Sequence, residues 1–409
     1  MKILVLDAYF EPENTSFSHL EKDIFEALVE AGHEINVVCP VPTRGVDDET
    51  AKKYSKIRKE DLYGGKVRVT RFFAPREGKN TLIRAFRYFW CNHRLYRVAK
   101  RFADADVIFS NSTPPIQGLV AAKLKKKTKK PFVYDLQDVF PDSLVNIGKT
   151  KRGSLLWKIG RKIEDKTYSA ADKIIVISED FKRNLLEKGV PEEKIQVVYN
   201  WVDAEKVAPV AKKDNRLFDE LGVSRDKFVV VYAGNCGKAQ GAKVLFDAAK
   251  LLADEKDIFF AVFGGGAEFE ELQKYKRREG LNNLELRPLL PQERVSEVYS
   301  FGSVNLITCK KGFGKVAFPS KTWNIMACDS PIIASYDKDS ELADIINASG
   351  AGVVVEPENA EALAKAILSM NNGRQSSGAR KFVLLCADKK VCARKYVEII
   401  EDGGFGRDR

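Results

Sequence analysis

Patterns that build disulfides or bind metals are missing from these 409 residues. The seven cysteines (Cys39, Cys91, Cys236, Cys309, Cys328, Cys386 and Cys392) are odd in number and form no CxxC pair, which argues against a disulfide framework or a zinc knuckle. A reducing cytoplasm fits best. No apolar run approaches the ~18 residues of a membrane span. The opening KILVLDAY is strand-like, with no charged leader ahead of an apolar signal core. The expectation is a protein neither secreted by that route nor integral to a membrane. Low-complexity tracts are absent, and neither the GxGxxG dinucleotide fingerprint nor the P-loop pattern GxxxxGK[ST] occurs.

What is present is a soluble globular composition, 44% hydrophobic and 31% charged, in a chain long enough for two domains. The net charge of +11 is unevenly placed. Residues 81–130 hold twelve Lys and Arg against two Asp, so this face should seek an anion. Within it, TLIRAFRYFWCNHRLYRVAKRFA interleaves aromatics with arginines. A helix lying in a membrane interface has this pattern, with Arg84, Arg87, Trp90, Arg94 and Arg97 facing the lipid. A core helix with a basic outer face has it too. Nucleic acid is not expected, because no recognised motif accompanies the charge.

Taken in order, short apolar runs alternate with helical periods: KILVL, EINVVC, DVIFS, PFVYD and KIIVIS, then, beyond a polar linker at Glu205–Arg216, KFVVVYAG, IFFAVFG, LELRP, PIIAS and GVVVE. This is the signature of parallel sheets covered on both faces. The predicted class is α/β, as two doubly wound, Rossmann-like domains with ligands beyond the carboxyl ends of the strands. The expected boundaries are 1–204, 205–378 and a terminal segment 379–409. Within that last segment an apolar stripe from Ala379 to Glu401 predicts one helix.

Three turns in the second half suit phosphate. YAGNCGKAQG offers Gly234, Asn235, Lys238 and Gln240; FGGGAEFE offers Gly264 and Gly266; and a glycine loop leads into Pro319-Ser320-Lys321 at a helix start. Glycine lets a backbone approach a phosphate closely, and the first turn of a helix leaves N–H groups unpaired. Pro and Ser also start ordinary helices, so the position alone leaves both readings open.

Other stretches narrow the choice. HEINVVCP, SNSTPP, VYDLQDVFPDS, KIIVISEDFKRNLLEKGVPEEKIQVVYNWVD, YAGNCGKAQG and FPSKTWNIMAC together resemble the retaining glycosyltransferases of family four, most nearly the bacterial O-antigen and capsule fucosamine-transferase-like branch. The resemblance implies the GT-B architecture: two Rossmann-like domains facing across a cleft, nucleotide-sugar on the C-terminal one and acceptor on the N-terminal, membrane-facing one. It implies no metal or other cofactor, and a terminal helix, 379–409, crossing back to the first domain. Asn235, Lys238, Gln240, Ser320, Lys321 and Thr322 would lie at the diphosphate, with Gly234, Gly264 and Gly266 in the same turns. Arg287, Pro288 and Leu289 would run along the base, and Asn324 would meet the ribose. Asp138 would face the transferred sugar, with Glu11, Asn14 and Ser16 entering the same cleft. Catalysis would fall to Asp138 and Lys321.

The chain departs from the family pattern where paired glutamates are usual, carrying Val316 and Asn324 instead. The expected activity is retaining transfer of a hexosyl or N-acetylhexosaminyl group. The donor would be a nucleotide sugar, UDP-linked by family frequency, and the acceptor a polyprenyl-diphosphate-linked glycan in surface polysaccharide synthesis. The expected location is cytoplasmic, on the inner face of the cell membrane with an anionic surface as partner. Two alternatives are a membrane-docked scaffold with a decayed donor site and a nucleotide-sugar 2-epimerase.

Overall fold

The computed structural model describes residues 1–13, 15, 17–75, 81–146, 148–316, 318–371 and 378–405; the side chains of 81–85, 146 and 405 fall outside that description. Two compact units emerge, one of Met1–Tyr199 with Cys392–Arg409 and one of Asn200–Val391. Among the described residues no helix is long and apolar enough to cross a membrane.

The first unit is built on β1 (Lys2–Leu6), β2 (Glu34–Pro40), β3 (Lys59–Leu62), β4 (Val67–Phe72), β5 (Val107–Asn111), β6 (Phe132–Leu136), β7 (Lys173–Val176) and β8 (Ile195–Val197). They form one eight-stranded sheet in the order β3-β4-β2-β1-β5-β6-β7-β8. The interior strands β1, β5 and β6 are almost wholly buried, which is why they read as unbroken apolar runs. Helices cover the sheet, among them Ser18–Glu30, Thr81–Ala99 and Gln117–Thr128. Edge strand β3, KEDL, runs antiparallel to β4 and has no apolar alternation by which to be seen; ladder bonds to β4 make it a strand.

The second unit has a six-stranded parallel sheet, β11-β10-β9-β12-β13-β14. Its strands are β9 (Phe228–Asn235), β10 (Ile258–Gly265), β11 (Leu284–Pro288), β12 (Val304–Thr308), β13 (Ile332–Ser335) and β14 (Gly352–Val355). The polar run Glu205–Arg216 was expected to be a linker, but it is fastened to this unit. Ala208 and Val210 donate their N–H groups to the hydroxyls of Ser296 and Ser300 at 3.2 and 2.9 Å, and the Asn215 amide donates to the Glu297 carbonyl.

The stripe predicted as one helix over Ala379–Glu401 is two, Ala379–Cys386 and Lys389–Phe405. The break is enforced by Asp388, whose carboxylate accepts from the N–H groups of Lys390 and Ala204 while the backbone of Val202 pairs with Ala387 and Lys389. The first helix stays in the second unit, where Phe382 stacks on buried Trp323 and Arg380 donates to the carbonyls of Ala204, Val207 and Ala327. From Cys392 the chain packs in the first unit, with Tyr396 edge-on to Phe109.

Candidate functional site

The carboxyl ends of β9 and β12, the segment after β11 and the short helix Lys321–Ala327 enclose a cavity of about 490 Å³ in the second unit. Gly234, Asn235, Gln240, Leu289, Ser320, Lys321 and Asn324 line it, together with Tyr299, Thr308 and Phe318. Trp323, stacked between Phe318 and Phe382, fixes the helix from below.

Lys321 carries the chemistry of this cavity. Its ammonium is buried, has no hydrogen-bond partner among the described residues, and lies 3.8 Å from the centroid of the Tyr232 ring. Burial disfavours the charged form and pulls its pKa down to about 7; the nearby Cys236 thiol acts weakly in the other direction. Gly234, at φ +143°, makes room for it, since a Cβ there would stand 2.9 Å from the ammonium. Among the described residues the lining holds no carboxylate, so a cation here can take an anion. Gly266 is equally constrained: at φ +119° its Cβ would come within 2.1 Å of the Asn235 side chain. Asn235 in turn donates to Gln240 at 3.3 Å, so these two lining residues bond each other.

Other expected contacts lie elsewhere. Lys238 is exposed and outside the lining, and Arg287 turns to an ion pair with Glu285 at 2.7 Å. Gly264 packs against Cys236, and Pro288 is exposed at the strand end. Thr322 is fully buried and outside the lining, and its hydroxyl has no hydrogen-bond partner among the described residues. The helix turn points Thr322 inward between Lys321 and Asn324, which stay at the cavity. Val316 is half-buried and does not line the cavity.

In the first unit, acidic groups gather near the carboxyl ends of the strands. Asp138 is exposed, accepts from the Ser143 hydroxyl at 3.2 Å, and is raised in pKa by the protein around it, an effect that solvent at its open face moderates. Glu11 is exposed, and its carbonyl accepts from Arg71. Asn14, Ser16 and the side chain of Arg84 lie outside the described residues.

Three deeper carboxyls escaped the sequence reading. Asp135, at the end of β6, accepts from Gln137 at 2.9 and 3.0 Å and from the Tyr396 hydroxyl at 2.9 Å, while burial raises its pKa to about 7. Glu13 accepts from the N–H groups of Thr43 and Arg44, both at 2.7 Å, and is also raised to about 7 by burial. Asp7 is raised by burial, with Glu21 beside it as the proton holder. For Asp7 and Asp135 the signal was an acid closing an apolar strand run, as in ILVLD and FVYD, while Glu13, in the loop beyond β1, had none. Because the folded state holds protons on Asp135 and Glu13 that the unfolded chain has released, stability should fall as pH rises from about 4 to 7. Asp135→Asn should flatten that fall, as melting temperatures across the range would show.

The basic helix Thr81–Ala99 corrects one expectation. Arg87 is not membrane-facing: it is 1% exposed, donating to the Thr43 hydroxyl at 2.6 Å and the Pro75 carbonyl at 3.1 Å beside the Tyr9 ring. It shares a helix face with buried Cys91, Leu95 and Val98, which is what turns it inward. Trp90 and Arg97 are exposed and Arg94 is half-buried. Among the described residues, no group of three or more His, Cys, Asp or Glu is gathered for a metal ion.

Comparison with known proteins agrees with the fold. Residues 22–206 match the family described as Glycosyltransferase Family 4, and residues 213–380 match Glycosyl transferases group 1. The chain is 29% identical to the glycosyltransferase WbjE of Pseudomonas aeruginosa, over 72% of this chain and 74% of that one. It is 26% identical to WcaI of Escherichia coli K12, described as a colanic acid biosynthesis glycosyl transferase, over 98% of this chain and all of that one. Among solved structures, Anabaena HepE in complex with UDP superposes with a TM-score of 0.72 at 16% identity, covering 98% of this chain and 100% of that one. WaaG, a glycosyltransferase involved in lipopolysaccharide biosynthesis, gives 0.62 at 13% identity, covering 97% and 99%.

Proposed function

Since the chain belongs to glycosyltransferase family four, with the GT-B pair of Rossmann-like units, we propose that it moves a hexosyl or N-acetylhexosaminyl group from a UDP-sugar to a polyprenyl-diphosphate-linked glycan, with retention, in bacterial surface polysaccharide synthesis. The observation that carries this is the unpartnered Lys321 ammonium in a cavity at the strand ends of the second unit. HepE's complex with UDP supports uridine as the base, and WcaI supports the biosynthetic setting.

In this reading the bond between the sugar's anomeric carbon and the diphosphate oxygen breaks, and the electron pair leaves on the nucleoside diphosphate. The acceptor hydroxyl bonds to the anomeric carbon on the same face and gives its proton to a phosphate oxygen. Lys321 stabilises the developing charge, and Asp138 orients the sugar or the acceptor. No covalent nucleophile and no metal enter the scheme. Work on a lipid-linked acceptor places the protein peripherally at the inner face of the cell membrane.

A thermal-shift panel of nucleoside diphosphates tests the donor assignment. The melting temperature should rise with UDP and rise less with the others, because a ligand that binds only the folded state stabilises it by mass action. No shift with any of them would contradict a working donor site and would leave the scaffold.

A further inference from the structure

A groove of about 640 Å³ crosses the first unit between the β3–β4 edge and the last turns of the helix Thr81–Ala99. Arg58 and Lys59 stand on one wall, and Arg94, Arg97, Lys100 and Arg101 on the other. Among the described residues, the lining with Arg71 carries seven cations and no carboxylate. Of the nearby acids, Glu60 pairs with Arg71 itself at 3.0 Å, which leaves the six wall cations, and Glu34 pairs with Arg68, outside the lining, at 3.8 Å. Among the described residues, none of the six wall cations forms an ion pair.

Two further observations show that the groove is built to receive something. Among the described residues, the Nε of Arg94 is buried without a hydrogen-bond partner, and so is that of Arg71, which is 3% exposed and whose Nη2 donates to Glu60 and the Glu11 carbonyl. A buried donor without an acceptor is costly, and like charges this close repel, so an anion with several acceptor oxygens relieves both. Beside the groove lies an aromatic ledge. Phe73, itself a lining residue, is 56% exposed, Phe86 60%, Phe89 68% and Trp90 38%. Trp90 donates to the Phe73 carbonyl at 3.3 Å and stacks with Phe86, which joins ledge and groove into one surface.

A soluble phosphate needs only the cations. An apolar ledge continuous with them fits a molecule with a phosphate at one end and hydrocarbon at the other, held in an interface. We propose that the groove is a headgroup site for an anionic phospholipid, which seats Phe73, Phe86, Phe89 and Trp90 in the membrane interface. This rests on the peripheral-membrane reading above and adds to it a located site.

The test is co-sedimentation of the full chain with phosphatidylcholine vesicles, with and without phosphatidylglycerol. Three proteins are compared: the parent, a groove variant (Arg94→Gln, Arg97→Gln, Arg101→Gln), and an equal-charge control at the exposed end of another helix (Lys126→Gln, Lys127→Gln, Lys129→Gln). The groove variant should lose at least about tenfold in affinity for the phosphatidylglycerol vesicles, and the control less than about threefold. Should the groove triple melt early, the exposed single change Lys100→Glu carries the same expectation in weaker form. Equal weakening by both triples would overturn the located site while leaving membrane binding in place. Failure of the parent to bind any vesicle would overturn the membrane reading and this site with it. Displacement by inorganic phosphate at constant ionic strength would assign the groove to free phosphate and overturn the headgroup proposal.

Discussion

Lys321→Ala lowers turnover at least about 100-fold and leaves the melting temperature unchanged or higher. The two halves of this result come from the same geometry. A positive charge set where negative charge develops on the leaving diphosphate contributes about 3–4 kcal/mol to the transition state, which its removal forfeits. That ammonium is buried without a hydrogen-bond partner among the described residues, so deleting it removes a desolvation cost along with some packing against Tyr232. A residue that merely started a helix would show neither effect. Steady-state rates and thermal melts on the same preparation check both, and a variant turning over at the parental rate would show that the anion binds elsewhere.

Nucleotide affinity should fall about tenfold for each pH unit above 7. Burial holds the Lys321 amine near pKa 7, so above that pH most of it is neutral. A bound diphosphate restores a counter-charge and raises the pKa towards or beyond the ordinary Lys value, so binding takes up a proton. The sign is fixed: affinity is full below 7 and is lost as pH rises, until the pKa of the bound state is reached. Titration calorimetry with UDP between pH 7.5 and 9.5, roughly above the range where the terminal phosphate itself titrates, isolates the Lys321 contribution. Repeating it in buffers of different ionisation enthalpy counts the proton. A flat profile would mean that Lys321 is charged before the ligand arrives or does not meet it, and Lys321→Arg, with its fixed charge, should flatten the profile while retaining binding.

How legible these features were depends on how far apart their causes lie along the chain. The interior strands were plain because burial on both faces makes them runs such as KILVL and FVVVY, and the cavity turns were plain because glycine and a helix start are local signals. The β3 strand was not, because its only reason to be extended is the ladder it shares with β4. Arg87 was in principle readable. Its spacing to Cys91, Leu95 and Val98 puts it on the buried stripe, and the charge drew attention away from the period. Asp135 was not readable as a site, since the hydroxyl that engages it belongs to Tyr396, far along the chain in the segment that packs back into the first unit. Nor could the sequence show that the Lys321 ammonium lies over Tyr232, or that Thr322, one residue on, faces the core.

The central claim is that the cavity of the second unit holds the nucleoside diphosphate, and hydrogen exchange tests it most directly. With UDP at saturation, amides in 233–240, 289–292 and 318–324 should slow, because these segments line the cavity and carry Lys321. Those of the basic helix Thr81–Ala99 should not change. Protection confined to the first unit, with 318–324 exchanging as fast as in the free protein, would contradict the account.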